Sequence, residues 1–209
     1  MQSIFLMRKK IFNSYPILFL LAGNLYCIWY YAGHPGGFAS IVWIYWFQSV
    51  TIGFFNFIDL LTVKNYSSGD MKLNGESVTD ENKGCTAWFF LFHFGTFHLV
   101  YAVFLLVKFS ILSVDKMIFL IAVAAFFMES IINFMRQKEM ERTMTVNIGT
   151  MFILPYFRII PMHLMILGPA FLGWKPSMIF LVLKMAADII SFLLYQHIYG
   201  KNKTIDNSK

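Results

Sequence analysis

Six apolar stretches, each of about 20 residues or more, leave this chain few ways to fold. They run over 11–31, 38–63, 86–109, 114–135, 149–172 and 177–199. A helix of ~20 residues, rising ~1.5 Å per residue, covers a hydrocarbon core ~30 Å thick. None of the stretches alternates with the strand period, which speaks against a barrel. The chain is 58% hydrophobic and 13% charged. That is too little charge to cover the surface of a water-soluble domain of this length. The expectation is an all-α fold, a polytopic integral membrane helix bundle of about six transmembrane helices. The whole of 1–209 reads as one transmembrane domain, with 64–85 as its one long polar loop. Arg8-Lys9-Lys10 before an apolar run resembles a signal peptide. The run is too long for one and no small-residue cleavage pattern follows, so it reads as a retained first helix.

The net charge of +6 does not point to nucleic acid, because the basic residues sit in short clusters between the apolar stretches. Counted by connecting segment, twelve Lys and Arg fall on one side, within 8–10, 64–83, 136–142 and 201–209. Three fall on the other, Lys108, Lys116 and Lys175. By the positive-inside rule both termini and the 64–85 loop face the cytoplasm, in a multi-pass protein of the cell inner membrane whose partner is the lipid bilayer. Cys27 and Cys85 then lie at opposite faces, so no disulfide is expected. Ser113-Val114-Asp115 marks a helix start, and the charged segment 136–142 reads as a loop. Pro155, Pro161 and Pro169 are expected to break the fifth helix repeatedly. Gly95, Gly149, Gly168 and Gly173 read as close helix contacts or turns.

Against this background, the polar side chains inside the stretches carry the functional signal. A charge at the bilayer centre costs at least ~2.5–3.5 kcal/mol on insertion scales, so those that occur usually face the bundle interior. They are Gln48, Asn56, Asp59, His93, His98, Glu129, Asn133, Arg158, His163, Lys184 and Asp188. At ~1.5 Å per residue, Asn56, His93, Glu129 and Arg158 lie roughly 9–12 Å from the cytoplasmic helix ends. Gln48, His98, His163, Lys184 and Asp188 lie roughly 15–22 Å from them. Lys184 and Asp188 are spaced to pair within their helix at i, i+4, and Glu129, Asn133 and Arg136 share a face. Arg158 stays charged at any physiological pH and needs a carboxylate, with Glu129 the nearest in depth and Asp188 the runner-up. The candidate ligand-binding residues are Gln48, Asn56, His93, Glu129, Arg158, His163 and Asp188. Of these, His93, Arg158, His163 and Asp188 are expected to face one interior cavity.

Neutral imidazole is the commonest metal ligand and also ligates haem, so His93, His98 and His163 are candidate ligands for a metal or haem. The signal is thin. His93 and His98 stand about 140° apart around a helix, and no H-E-x-x-H motif or set of histidine boxes occurs. Histidines that hydrogen-bond across helices and fix packing are the commoner case. There is no Gly-rich phosphate loop and no G-x-S-x-G turn.

Four motifs occur in order along the chain. They are Trp46-Phe47-Gln48-Ser49-Val50 with Gly53-Phe54-Phe55-Asn56; His93-Phe94-Gly95-Thr96-Phe97; Pro155-Tyr156-Phe157-Arg158 with Met162-His163 and Leu167-Gly168; and Lys184 with Asp188. Together they resemble the DUF6498 family of bacterial and archaeal membrane proteins, over helices two to six. The resemblance implies the helical membrane fold and the polar constellation, and no activity. Gln48 stands where that family's pattern has Glu, and Tyr101 where a second His is usual. Both departures weaken a metal site.

Two readings of different class stay open, with a scaffold as a third. The first is a binding or transport protein whose polar zone holds a small polar ligand, ion or proton. The second is a membrane enzyme or redox protein with a His-ligated metal or haem.

Overall fold

The computed structural model describes residues 15–73, 75–171 and 178–205. They form six long helices: α1 Tyr15–Gly33, α2 Phe38–Thr62, α3 Lys83–Lys108, α4 Lys116–Glu141, α5 Ile148–Phe171 and α6 Met178–Ile205. The basic cluster 8–10, the start of the first apolar stretch, Gly173, Lys175 and Lys209 lie outside the described residues. The fold is all-α, with strands of only two residues among the described residues. Strand β1 Tyr66–Ser67 pairs in parallel with β4 Val146–Asn147, and β2 Lys72–Leu73 forms a small hairpin with β3 Glu76–Ser77. The first pairing ties the 64–85 loop to the α4–α5 connection at one end of the bundle.

Local chemistry sets the helix ends. Asp115 caps α4, its carboxylate accepting from the backbone N–H groups of Met117 (3.0 Å) and Ile118 (3.2 Å). At the end of α2, Lys83 Nζ donates to the Val63 carbonyl at 2.7 Å, which satisfies a terminal acceptor and fixes the start of α3 beside it. The same ammonium donates to Asp80 at 2.9 Å, and this bond holds the exposed Asp80 carboxyl below its usual value. Cys27 is buried and Cys85 exposed, and both are free.

Two expectations need correction. The charged segment 136–142 is not a loop, because α4 continues through it to Glu141. Lys138 bridges Asp59 on α2 (2.5 Å) and Glu141 (3.1 Å), and Arg136 lies over the Phe192 ring of α6 at 5.6 Å. The charges are thus used between helices instead of in solvent. The prolines do not interrupt α5, which stays helical past all three. α6 itself runs past Gly200 to Ile205.

α1 packs on α4 and α6, α5 packs on α6, and α2 packs on α3, α4 and α5. α2, α4, α1, α6 and α5 therefore close a ring, while α3 leans on α2 from outside and meets α5 only lightly. Trp29, Phe92, Val107, Leu112, Leu120 and Ile179 are exposed on the outside. Gln48, Glu129, Lys184 and Asp188 are at most 2% exposed inside. This distribution reverses that of a water-soluble protein. Among the described residues, four helices, α1 to α4, are long and apolar enough to cross a membrane.

Gly53 is what lets α3 approach α2. A Cβ at Gly53 would sit inside the ring of Phe94. That ring is itself stacked on His98 at 4.3 Å and Phe90 at 5.0 Å, so it has nowhere to go. Gly95, expected to make a close contact, would meet nothing within 4 Å. Gly53→Ala should therefore destabilise by ~1–3 kcal/mol through overpacking, while Gly95→Ala should be neutral or stabilising by up to ~1 kcal/mol through helix propensity. Thermal unfolding of the two variants in detergent checks this. Equal effects would contradict the α2–α3 packing.

Candidate functional site

The interior of the ring holds two layers of polar side chains. In the first, α6 supplies Lys184 and Asp188, one turn apart on the same face. Lys184 Nζ donates to Asp188 Oδ1 at 2.6 Å and to Gln48 Oε1 of α2 at 2.9 Å. Asp188 Oδ2 accepts from Gln48 Nε2 at 3.3 Å and from Asn24 Nδ2 of α1 at 3.1 Å. Tyr45 donates to Asn24 Oδ1 at 3.2 Å, and its ring lies 5.1 Å from the Lys184 ammonium. An amide at position 48 fits this place because it both accepts and donates. A carboxylate there would accept only, and would add a second negative charge beside Asp188.

The second layer lies one level nearer the end of the bundle that carries β1 and β4. Glu129 of α4 is fully buried, and Oε1 accepts from Asn133 at 2.6 Å. Arg158 of α5 donates to the same oxygen from both Nη1 and Nη2, each at 3.4 Å, longer than a well-made hydrogen bond. Glu129 Oε2 has Ser130 Oγ at 3.5 Å, but that hydroxyl's single proton has a closer acceptor in the Phe126 carbonyl at 3.0 Å. The pair lines a cleft of about 80 Å³ between α2, α4, α5 and α6. Asn56, Asp59, Gln137 and Ser191 also line it. Asn56 Nδ2 is buried and has no partner among the described residues.

Both intrahelical and interhelical pairings expected from the sequence are therefore present, and Glu129 rather than Asp188 holds Arg158. The single shared cavity is not. Of the expected set, Asn56, Glu129 and Arg158 line the cleft, while Gln48 and Asp188 sit in the buried network above it. His93 is elsewhere because α3 lies outside the ring, and His163 is elsewhere because it sits on the side of α5 that meets Phe97 and Tyr101 of α3. His93 is exposed, with Nδ1 2.7 Å from the Tyr156 hydroxyl. His163 is half-buried, with Nδ1 3.1 Å from the Ile159 carbonyl and Tyr101 edge-on at 4.8 Å.

The three histidines do not converge on one three-ligand metal site among the described residues. His98 Nδ1 is 2.8 Å from the Phe94 carbonyl and Nε2 is 2.8 Å from Ser49 Oγ, so both of its nitrogens are engaged in packing. Among the described residues, no group of three or more His, Cys, Asp or Glu is placed to hold a metal ion. His93, His98 and His163 make hydrogen-bonding contacts along α3 and α5.

The family model of DUF6498, a family of unknown function, matches residues 7–203. The chain belongs to this family. No curated protein and no solved structure matches it. The matched region spans both polar layers and the cleft, so the site is to be read from its own geometry.

Asn24 and Tyr45 complete the buried network, and Ser49 meets His98; none of the three was among the sequence candidates. Asn24 carried a usable signal, an amide in an apolar helix. Tyr45 carried none, because tyrosine is common in such helices, and Ser49 entered only as part of the Trp46–Val50 motif. The Arg158–Glu129 pair yields a direct test. Glu129→Gln leaves the guanidinium without its counter-charge and should cost ~3 kcal/mol, the low end for a broken buried pair, since the Arg158 side chain keeps 11% exposure. Adding Arg158→Met should recover most of that loss in detergent unfolding, whereas additive losses would contradict the pairing.

Proposed function

We propose that this chain is a multi-pass membrane protein that binds a small polar ligand in the cleft beside Arg158. In this reading all six helices cross the bilayer, with both termini and the 64–85 loop in the cytoplasm. The observation that carries it is the cleft itself: an incompletely bonded Arg158–Glu129 pair and an unpartnered amide inside a helix ring with an apolar exterior. Polar groups at such depth are costly, and those that persist usually mark ligand or ion pathways. The lining also includes Asp59, Gln137 and Met151, close to the ends of α2, α4 and α5 on the side of β1 and β4. That side carries the basic loops, so the cleft leads toward the cytoplasm. Binding followed by release on the same side, or transport across the bilayer, both start from this step.

Cysteine labelling in a Cys27→Ala, Cys85→Ser background tests topology and cleft together. Ser77→Cys should be shielded from an impermeant thiol reagent in intact cells and react in inverted vesicles, and Gly36→Cys should do the reverse. Gln137→Cys should react with a small polar reagent from the cytoplasmic side. Reversed accessibility of Ser77 and Gly36 would overturn the topology, and an inert Gln137→Cys would overturn an open cleft.

A further inference from the structure

We propose that the segment 64–73 is a strap that sets how far the cleft opens toward the cytoplasm, an inference that rests on the cleft reading above. Two walls of the cleft are α2 and α5. The strap joins them outside the helix ring. It leaves the last turn of α2 directly, since only Val63, Lys64 and Asn65 separate Thr62 from β1. Lys83 Nζ pins its start by donating to the Val63 carbonyl at 2.7 Å. Its other attachment is to the beginning of α5.

That attachment grips the first turn of the helix. The Val146 N–H donates to the Asn65 carbonyl at 3.0 Å, and Thr145 Oγ1 donates to Asn65 Oδ1 at 3.1 Å. β1 sets Ser67 beside Asn147. Asn147 is also the N-cap of α5, its Oδ1 accepting from the Thr150 N–H at 3.0 Å. The amide nitrogen of Asn147 lies against Gly69, where a Cβ on residue 69 would collide with it. Gly69 is held at φ +53° in a turn closed by the Met71 N–H on the Ser68 carbonyl (3.0 Å), a backbone shape that suits glycine. Met71 packs beside Gly149. From this anchored turn α5 runs on to Met151, Leu154, Pro155 and Arg158, its share of the cleft lining. The strap is the lightest-built part of this wall. Its strands are two residues long, and Asn65, Ser67, Gly69, Asp70 and Lys72 are exposed. Such segments open at lower free energy than the packed helices they join. Release of Asn147 frees the first turn of α5 while the buried Lys184–Asp188 layer still holds the ring.

The test uses the full chain in inverted vesicles, with Gln137→Cys in the Cys27→Ala, Cys85→Ser background, and reads its rate of reaction with a small polar thiol reagent. Gly69→Val sets a Cβ against Asn147 at a backbone angle that β-branched residues avoid. Asn65→Ala removes a single exposed side-chain acceptor, so the variant folds. Each should raise the labelling rate, by about threefold or more, with Gly69→Val the stronger. Asp70→Ala, at an exposed position of the same turn, should leave the rate unchanged. Thermal unfolding in detergent separates a loosened strap from a lost fold, and if Gly69→Val does not fold, Asn65→Ala decides. A rate that the folded strap variants do not raise, or one that Asp70→Ala raises equally, would overturn the strap and leave the cleft reading standing. The cleft reading falls separately, if Gln137→Cys is inert while the strap is intact.

Discussion

A charge inside a helix bundle with an apolar exterior is tolerable only beside its opposite, and the arrangement of this protein follows from that requirement. Lys184 and Asp188 sit one turn apart at 2% and 0% exposure. Neither would be stable without the other. Their remaining hydrogen-bonding capacity recruits α1 through Asn24 and α2 through Gln48 and Tyr45. Glu129 and Arg158 do the same for α4 and α5. All five helices of the ring are thereby committed to one polar interior. Because buried amides and ions are costly unless satisfied, this network also selects helix register more sharply than apolar packing alone.

The two layers differ in completeness, and the proposed function rests on the difference. Lys184–Asp188 is short and surrounded by amide partners. Arg158–Glu129 is long, with one carboxylate oxygen shared among three donors and the other poorly served. A satisfied network holds helices together, while the half-satisfied one beside open space is where the proposed ligand would bind. The third interior charge cluster, Asp59 with Lys138 and Glu141, closes the end of α2 against α4, one ammonium being shared by two carboxylates.

Much of this was legible in the sequence. Apolar run length gave the helices to within a few residues in most cases, and depth along each helix placed Glu129 with Arg158, and Gln48 with Lys184 and Asp188, on separate levels. The i, i+4 spacing of Lys184 and Asp188 was enough to pair them. Lateral order was not legible, because depth says nothing about which helices are neighbours. The position of α3 outside the ring follows from packing at Gly53 and Phe94, and it removes His93 from the company of Arg158. The segment 136–142 was misread because charge density resembles a loop when the partners, Asp59 and Phe192, lie on other helices. Asn24 was overlooked as a single amide in the first helix, although the rule applied to Gln48 applied equally to it.

The central claim is that mutually neutralised charges organise the ring interior, and a double-mutant cycle on Lys184 and Asp188 tests it most directly. Lys184→Met and Asp188→Leu each leave a buried, unpaired charge, and each should lower unfolding free energy in detergent by ~3–5 kcal/mol. The double variant replaces the pair with apolar side chains and should lie close to the wild type, giving a large coupling energy. Losses that simply add, or single variants as stable as the wild type, would contradict the account.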